Sequence, residues 1–329
     1  MKKKAFITGI AGQDGSYLSE LLLEKNYNVY GIVRRNSITE HQRNRLSHLD
    51  NKIELSYGDL TDKASLDKAL STIKPDEIYN LGAQSHVRVS FEIPQFTFET
   101  NAMGVYNILE SMKHFSPKSK FYQASSSEMF GRSVAEDGFQ RETTKFEPTS
   151  PYGCAKVFGY NLTKHYRKAY KLFAVNGILF NHESKRRGSN FVTTKVIKTA
   201  IRIKNNLEKK LVLGNIHSSR DWGHSKDYVK AMNLIISQKQ PNDYVVATGE
   251  TRSVSQLCEY VFKKLNLDLK KHIEISEKFM RPEELPYLKG DSSKIRSELK
   301  WKPEYSFENL IDEMIDFWQE NYDKDNLHY

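Results

Sequence analysis

A doubly wound α/β fold, with a parallel sheet and a smaller C-terminal α/β unit, is what this 329-residue sequence predicts. Three observations carry that reading. Short apolar runs alternate with stretches of helical apolar spacing up to about residue 180. A glycine-rich turn separates the first apolar run from the first helix. Past residue 180 the alternation breaks into polar, basic loops and shorter elements. At about 150 residues per domain the length suits two units. Residues 1–180 are expected to form the first, with part of 216–248 returning to it, and 181–329 mainly the second.

The elements follow in order. Residues 4–8 read as a buried strand and 9–15 as the glycine turn. Leu18, Leu21, Leu22 and Leu23 give 16–25 a helical apolar face. Strands follow at 27–33 and 53–57, a helix at 63–73 and a fourth strand at 77–81. A long helix is expected at 96–114, a fifth strand at 120–124, a helix at 151–170 and a sixth strand at 173–179. Farther on, 227–237 reads as helix and 244–247 as a strand that can return to the first sheet. Leu310, Ile311, Met314, Ile315 and Trp318 make 306–323 an amphipathic closing helix.

Composition bounds the class. Hydrophobic residues at 38% and charged residues at 28% exclude a disordered chain. Cys154 and Cys258 are too few for a disulfide framework or a four-thiolate metal site, so no metal and a reducing, cytoplasmic setting are expected. After Met1-Lys2-Lys3-Lys4 the apolar stretch ends at Gln13-Asp14, too soon for a secretory leader. No apolar run approaches 18 residues, so no membrane span is expected. The net charge of +9 suits nucleic acid, an anionic membrane or a phosphate-bearing small ligand. The lysines are scattered, however, rather than gathered into one block.

The chemistry begins at Gly9-Ile10-Ala11-Gly12-Gln13-Asp14-Gly15, a G-x-x-G-x-x-G turn between a strand and a helix. Such a turn lets backbone N–H groups and a helix N-terminus approach a pyrophosphate, so it reads as a dinucleotide site. The second strand ends at Arg34-Arg35-Asn36-Ser37, where an NAD binder usually places an acid. Two arginines and a serine suit a 2′-phosphate, which favours NADP. Asp59 and Leu60, after the third strand, are placed to touch the adenine. Leu81, Gly82, Ala83, Gln84 and Ser85, after the fourth, would line the cofactor. Tyr152 and Lys156 stand at i and i+4 and share a helix face, with Ser125-Ser126-Ser127-Glu128 upstream. A tyrosine titrates near 10, too high for a base at neutral pH. An adjacent ammonium and a cationic nicotinamide are expected to lower it, making Tyr152 an acid/base beside a hydrogen-bonding serine.

These residues resemble the extended short-chain dehydrogenase/reductases, and within them the GDP-mannose 4,6-dehydratase family. The matching stretches run nearly end to end: TGIAGQDGSYL at 8–18, YNLGAQSHV at 79–87, FYQASSSE at 121–128 and NGILFNHES at 176–184. Beyond them come RRG at 186–188, LGN at 213–215, RDWGHSKDY at 220–228, ATG at 247–249 and Arg281-Pro282. The resemblance implies catalytic roles for Ser126, Glu128, Tyr152 and Lys156. It adds His182 and Arg187 to the cofactor set, with Lys156 shared. It places Asn181, Val192, Lys195, Leu213, Asn215, Arg220 and Arg281 around a GDP-sugar. It also implies a homodimer or homotetramer, with the 39–49 insertion and its Arg43 and Arg45 reaching a neighbouring subunit, and it speaks against nucleic acid as the partner. The chain departs from the pattern at Ser126, where threonine is usual, at Phe96 and Arg88, and in a shortened stretch before Phe279. GDP-mannose and GDP-manno-heptose both remain open as substrates. A GDP-sugar epimerase or 4-ketoreductase is the alternative within the enzyme class, and an NADP-sensing or nucleic-acid-binding protein lies outside it.

Overall fold

The structure is a computed structural model that describes residues 2–35 and 44–322. It begins β1 (Lys4–Thr8), α1 (Gln13–Glu24), β2 (Asn28–Val33), β3 (Ile53–Tyr57), α2 (Lys63–Ile73), β4 (Glu77–Asn80). Three helices follow, α3 (Val87–Glu92), α4 (Pro94–Phe98) and α5 (Gly104–Phe115), then β5 (Lys120–Ser126), α6 (Pro151–Ala169) and β6 (Phe173–Leu179). The rest is shorter: β7 (Asn181–Glu183), α7 (Val192–Lys204), β8 (Leu211–Leu213), β9 (Ser219–Arg220), β10 (Trp222–His224), α8 (Ser225–Ile236) and β11 (Tyr244–Val246). The chain closes with β12 (Arg252–Ser253), α9 (Val254–Lys264), α10 (Leu269–His272), β13 (Ile273–Ile275), α11 (Ser293–Leu299) and α12 (Phe307–Gln319).

Seven strands form one parallel sheet in the order β11-β6-β5-β4-β1-β2-β3. From β1 the chain winds outward through β2 and β3, then crosses back to β4 and on to β6. The strand order therefore reverses between β1 and β4, and the crevice at their carboxyl ends is where such sheets take ligands. The near-continuous apolar strands are those of a sheet covered on both faces. On one face α1 and α8 bury Leu18, Leu22, Val229, Met232 and Ile236. On the other, α2 and α5 bury Leu66, Leu70, Ile108, Leu109 and Met112. The expected returning strand does join the sheet: β11 pairs with β6 from Tyr244 and Gly177 onward. A second apolar cluster, with Ile197, Leu211, Leu257, Phe262, Met314 and Trp318, is built from α7, β8, α9 and α12.

The expected long helix at 96–114 is one helical run from Pro94 to Phe115, but it is not α-helical throughout. Pro94 starts a short α4, a π-helical stretch spans Glu99–Met103, and α5 begins at Gly104. The wide turn holds Asn101 against the loop after β4, where its side chain clips Gln84 twice. Its Oδ1 accepts from Gln84 N at 2.9 Å and its Nδ2 donates to Gln84 O at 2.8 Å. Insertions of this kind concentrate at functional sites, and no periodicity of apolar residues marks them in advance. The strand expected at 120–124 runs on to Ser126, which puts Ser125 and Ser126 at the sheet's carboxyl edge.

Candidate active site

The glycine turn is as tight as its sequence requires. Gly9 has φ +68°, and a Cβ there would stand 2.7 Å from Gly82 N. β1 and the loop after β4 thus touch backbone to backbone, a contact only glycine permits. α1 starts inside the turn, at Gln13. Ile10 is fully buried, its side chain packed against Gly31 of β2. Gln13 and Asp14 turn their side chains toward β7. Gln13 Nε2 donates to His182 O at 3.1 Å, and Ser184 Oγ donates to Gln13 Oε1 at 2.8 Å. His182 donates through Nδ1 to Phe180 O at 2.7 Å and through Nε2 to Asp14 Oδ2 at 2.8 Å. Burial alone would raise the Asp14 carboxyl and lower the His182 imidazole. Their mutual charge and hydrogen bond outweigh it, holding Asp14 below and His182 above its ordinary value.

The other cofactor candidates divide. Arg34 and Arg35 are exposed at the end of β2, while Asn36, Ser37 and Arg43 lie outside the described residues. Arg45 donates to Arg186 O at 2.9 Å and to Ala11 O at 3.3 Å. Asp59 Oδ1 accepts from Thr61 N and Oγ1 at 2.8 Å. Leu60 is buried beneath Gly82 and Gly104, so its side chain serves the core.

A cavity of about 550 Å³ opens at the sheet's carboxyl edge, between the sheet and the 181–284 region. Asp14, Leu81, Ala83, Ser85, His182 and Arg187 line it from the cofactor set. All four catalytic candidates line it, as do Asn181, Val192, Lys195, Leu213, Asn215, Arg220 and Arg281. Gly82, Gly12, Ala11 and Gln84 are half-buried and do not line it. Sequence reasoning missed several lining residues. Phe279 lies beneath Lys195 Nζ, 3.8 Å from the ring centroid, with the Arg88 guanidinium 5.7 Å away. Glu183 pairs with Arg187 at 3.1 Å. His86, its ring tilted against Phe191, donates toward Asn190 O at 3.3 Å. They come from short elements far apart in sequence, and local patterning carries no sign of them.

The reacting groups meet where α6 abuts the end of β5. Ser150 caps α6, accepting from Gly153 N at 3.0 Å, and Pro151 opens the first turn. Tyr152 N donates to the buried Ser90 Oγ at 3.2 Å. A Cβ on Gly153 would stand 2.8 Å from Glu128 O, so the helix packs directly on the 126–128 turn. Ser126 Oγ caps that turn by accepting from Glu128 N at 3.2 Å. Lys156 Nζ lies 5.6 Å from the Tyr152 ring centroid and donates to Ala124 O at 2.8 Å. Burial pulls Lys156 down to about 8. The lowered tyrosine expected from sequence is not found in the free protein. Burial pushes Tyr152 up to about 12, the Ser126 hydroxyl pulling it back only in part and the Glu128 charge adding to the rise. Desolvation of both partners outweighs an ammonium this far from the phenol.

A doubly wound sheet, a glycine turn after β1 and a buried Ser–Tyr–Lys set at the end of β5 define a protein of the extended short-chain dehydrogenase/reductase class. Among solved structures, dTDP-glucose 4,6-dehydratase from Bacillus anthracis in complex with NAD superposes with a TM-score of 0.84 at 21% identity, covering 97% of each chain. The Thermus thermophilus UDP-glucose 4-epimerase complex with NAD gives 0.84 at 23%, covering 96% of this chain and 99% of that one. At such identities the likeness concerns the fold. The family model for GDP-mannose 4,6 dehydratase matches residues 6–314. GDP-mannose 4,6 dehydratase 1 of Arabidopsis thaliana is 49% identical over 96% of this chain and 89% of its own length. The Homo sapiens GDP-mannose 4,6 dehydratase is 44% identical over 94% and 90%. The chain belongs to the GDP-mannose 4,6-dehydratase family.

Proposed function

We propose that this chain is a GDP-sugar 4,6-dehydratase that uses NADP and acts on GDP-mannose or GDP-manno-heptose. The observation that carries this is the convergence of Ser126, Glu128, Tyr152 and Lys156 on one cavity in a member of that family. The fit to NADP rests on two features: the backbone contact that only glycine allows at Gly9, and the exposed Arg34 and Arg35. Those arginines would meet the 2′-phosphate, with the glycine turn at the pyrophosphate. When bound, NADP supplies reversible acceptance of hydride.

The protein's residues would do the rest. Tyr152 takes the proton from the sugar O4 as C4 is oxidised. Lys156 holds the tyrosinate from one turn along α6, and the Ser126 hydroxyl donates to O4. The new C4 ketone acidifies the C5 hydrogen, and Glu128 removes that proton. The C6 hydroxyl then leaves as water with a proton from an acid in the cavity. Reduction at C6, with a proton returned to C5, completes a redox-neutral loss of water. Lys195, Arg220 and Arg281 would meet the diphosphate.

Two coarser proposals go with this. Residues 1–180 with part of 216–248 would serve the cofactor, and 181–329 mainly the nucleotide sugar. The chain would assemble with copies of itself. Phe96, Met103 and Tyr106 are exposed along residues 96–106, and α6 alongside exposes Phe158. Such a two-helix apolar face suits an isologous contact. The whole reading is tested by incubating the protein and NADP separately with GDP-mannose and GDP-manno-heptose. Loss of one water by mass spectrometry without net NADPH consumption is expected for at least one of them. Unchanged substrates would overturn the dehydratase reading, and stoichiometric use of NADPH would mark a reductase.

A further inference from the structure

The cations of the cavity are not equally committed. Arg187 Nε lies 3.1 Å from Glu183 Oε2. Arg220 is buried and donates to the backbone oxygens of Ser219 at 3.0 Å and Leu285 at 2.9 Å. Lys195 sits on the Phe279 ring. Arg281 is placed differently. The anion its side chain faces is Glu128, with Nη1 3.6 Å from Oε1, close enough for an ion pair but beyond a hydrogen bond. Glu128 is nearly buried, whereas the Arg281 side chain is a quarter exposed. The Arg281 backbone is anchored, its N donating to Glu284 Oε1 at 3.1 Å, so its side chain can change partner without moving the chain.

A guanidinium holding one carboxylate oxygen at this distance would gain by turning to a diphosphate, which offers several charged acceptors in bidentate geometry. We propose that Arg281 is shared between Glu128 and the nucleotide diphosphate. In the free protein it shields the base. Nucleotide binding draws it away and leaves the Glu128 carboxylate free to face the sugar. This rests on the reading that the cavity takes a GDP-sugar. It makes Arg281 a positioning residue for the elimination as well as a binding residue.

Linkage makes the effect reciprocal. If the nucleotide must break the pair, the pair must oppose the nucleotide. The test is calorimetric titration of the full chain with GDP and, separately, with guanosine. It compares the wild type, Glu128→Gln, Arg281→Ala and the double variant. Glu128→Gln is expected to bind GDP about fivefold tighter or better, with guanosine unchanged. In the Arg281→Ala background the gain should vanish. No gain in Glu128→Gln overturns the proposal. So does an equal gain without Arg281, which would be a general charge effect, or an equal gain for guanosine. A wild type that binds neither ligand would overturn the GDP-sugar reading along with it, an outcome distinct from an unchanged Glu128→Gln affinity.

Discussion

Replacing Lys156 by methionine should abolish activity and yet make the free protein more stable at pH 7. The ammonium is buried, with one backbone oxygen, that of Ala124, recorded as its acceptor. Burial lowers it from the usual 10.5 to about 8. At 1.36 kcal/mol per pKa unit this costs the folded state about 3 kcal/mol at neutral pH. Methionine is of similar length and carries no charge. It leaves the Ala124 oxygen without its lysine, which returns about 1 kcal/mol or a little more. Gln123 Nε2 still donates to that oxygen at 3.2 Å, which limits the loss. A net gain of roughly 1–2 kcal/mol remains.

The sign with pH follows from the same numbers. Below about 8 the lysine is charged in both states and the full penalty applies. Between about 8 and 10.5 the unfolded chain binds the proton that the folded one has lost, so wild-type stability rises with pH relative to the variant. Urea unfolding of both proteins at pH 7, 8.5 and 10 should therefore show the variant ahead at neutral pH and the gap closing as pH rises. A variant less stable than wild type at pH 7, or a gap that ignores pH, would refute the reasoning. The cost would then lie elsewhere than in the buried charge.

Three further expectations can be checked directly. Arg34 and Arg35 can each supply a charge-assisted hydrogen bond of about 1.5–3 kcal/mol to a 2′-phosphate. NADP should accordingly bind at least about tenfold tighter than NAD, and Arg34→Ala with Arg35→Ala should erase the preference; equal affinities in the wild type by calorimetry would remove the reading of this loop. Gly9→Ala forces a Cβ into the Gly82 backbone at a φ of +68°, so cofactor titration should show about tenfold or greater loss of affinity and unfolding a loss of about 2 kcal/mol; wild-type binding would mean that the turn can open without cost. Met103→Glu combined with Phe158→Glu puts charge on the exposed helical face and should yield a monomer in light scattering; an unchanged assembly would move the interface elsewhere.

The sheet was legible because its strands are short runs, mostly apolar in the centre and alternating at the β3 edge, bounded by turn residues. Lys4–Thr8, Ile53–Tyr57 and Phe173–Leu179 stand where that pattern predicts them. The π-helical break at Glu99–Met103 was not legible, since one extra residue in a turn leaves the apolar spacing almost unchanged. Site composition was more readable than site orientation. Residue type and order bring Ser126, Tyr152 and Lys156 to mind, but they do not say that Leu60 points into the core or that Gln13 and Asp14 reach for β7. Nor does spacing along a helix give electrostatics. Tyr and Lys at i and i+4 suggest a lowered phenol, yet burial raises it to about 12, a balance that depends on how much water the finished fold excludes.

Glu128 decides which reaction the shared Ser–Tyr–Lys set performs. Oxidation at C4 needs Tyr152, Lys156 and Ser126 and no second base. Elimination needs one, because the C5 proton must leave before C6 can lose water. Ser126 and Glu128 flank the same turn, with the Ser126 oxygen capping Glu128 N, and both line the cavity. One can serve O4 while the other reaches C5. General-base catalysis typically contributes 10²–10⁴-fold, about 3–5 kcal/mol in the barrier. Glutamine keeps the shape and removes the base. Glu128→Gln should therefore still bind GDP-sugar and NADP and still form some NADPH in a single turnover, visible by absorbance. It should lose both water elimination and exchange of the C5 hydrogen with deuterated solvent by about that factor. Retention of wild-type product formation would remove Glu128 from the base role, and the elimination step would need another group within the cavity. Loss of NADPH formation as well would show that Glu128 serves oxidation too, so that the two half-reactions are not separable by residue.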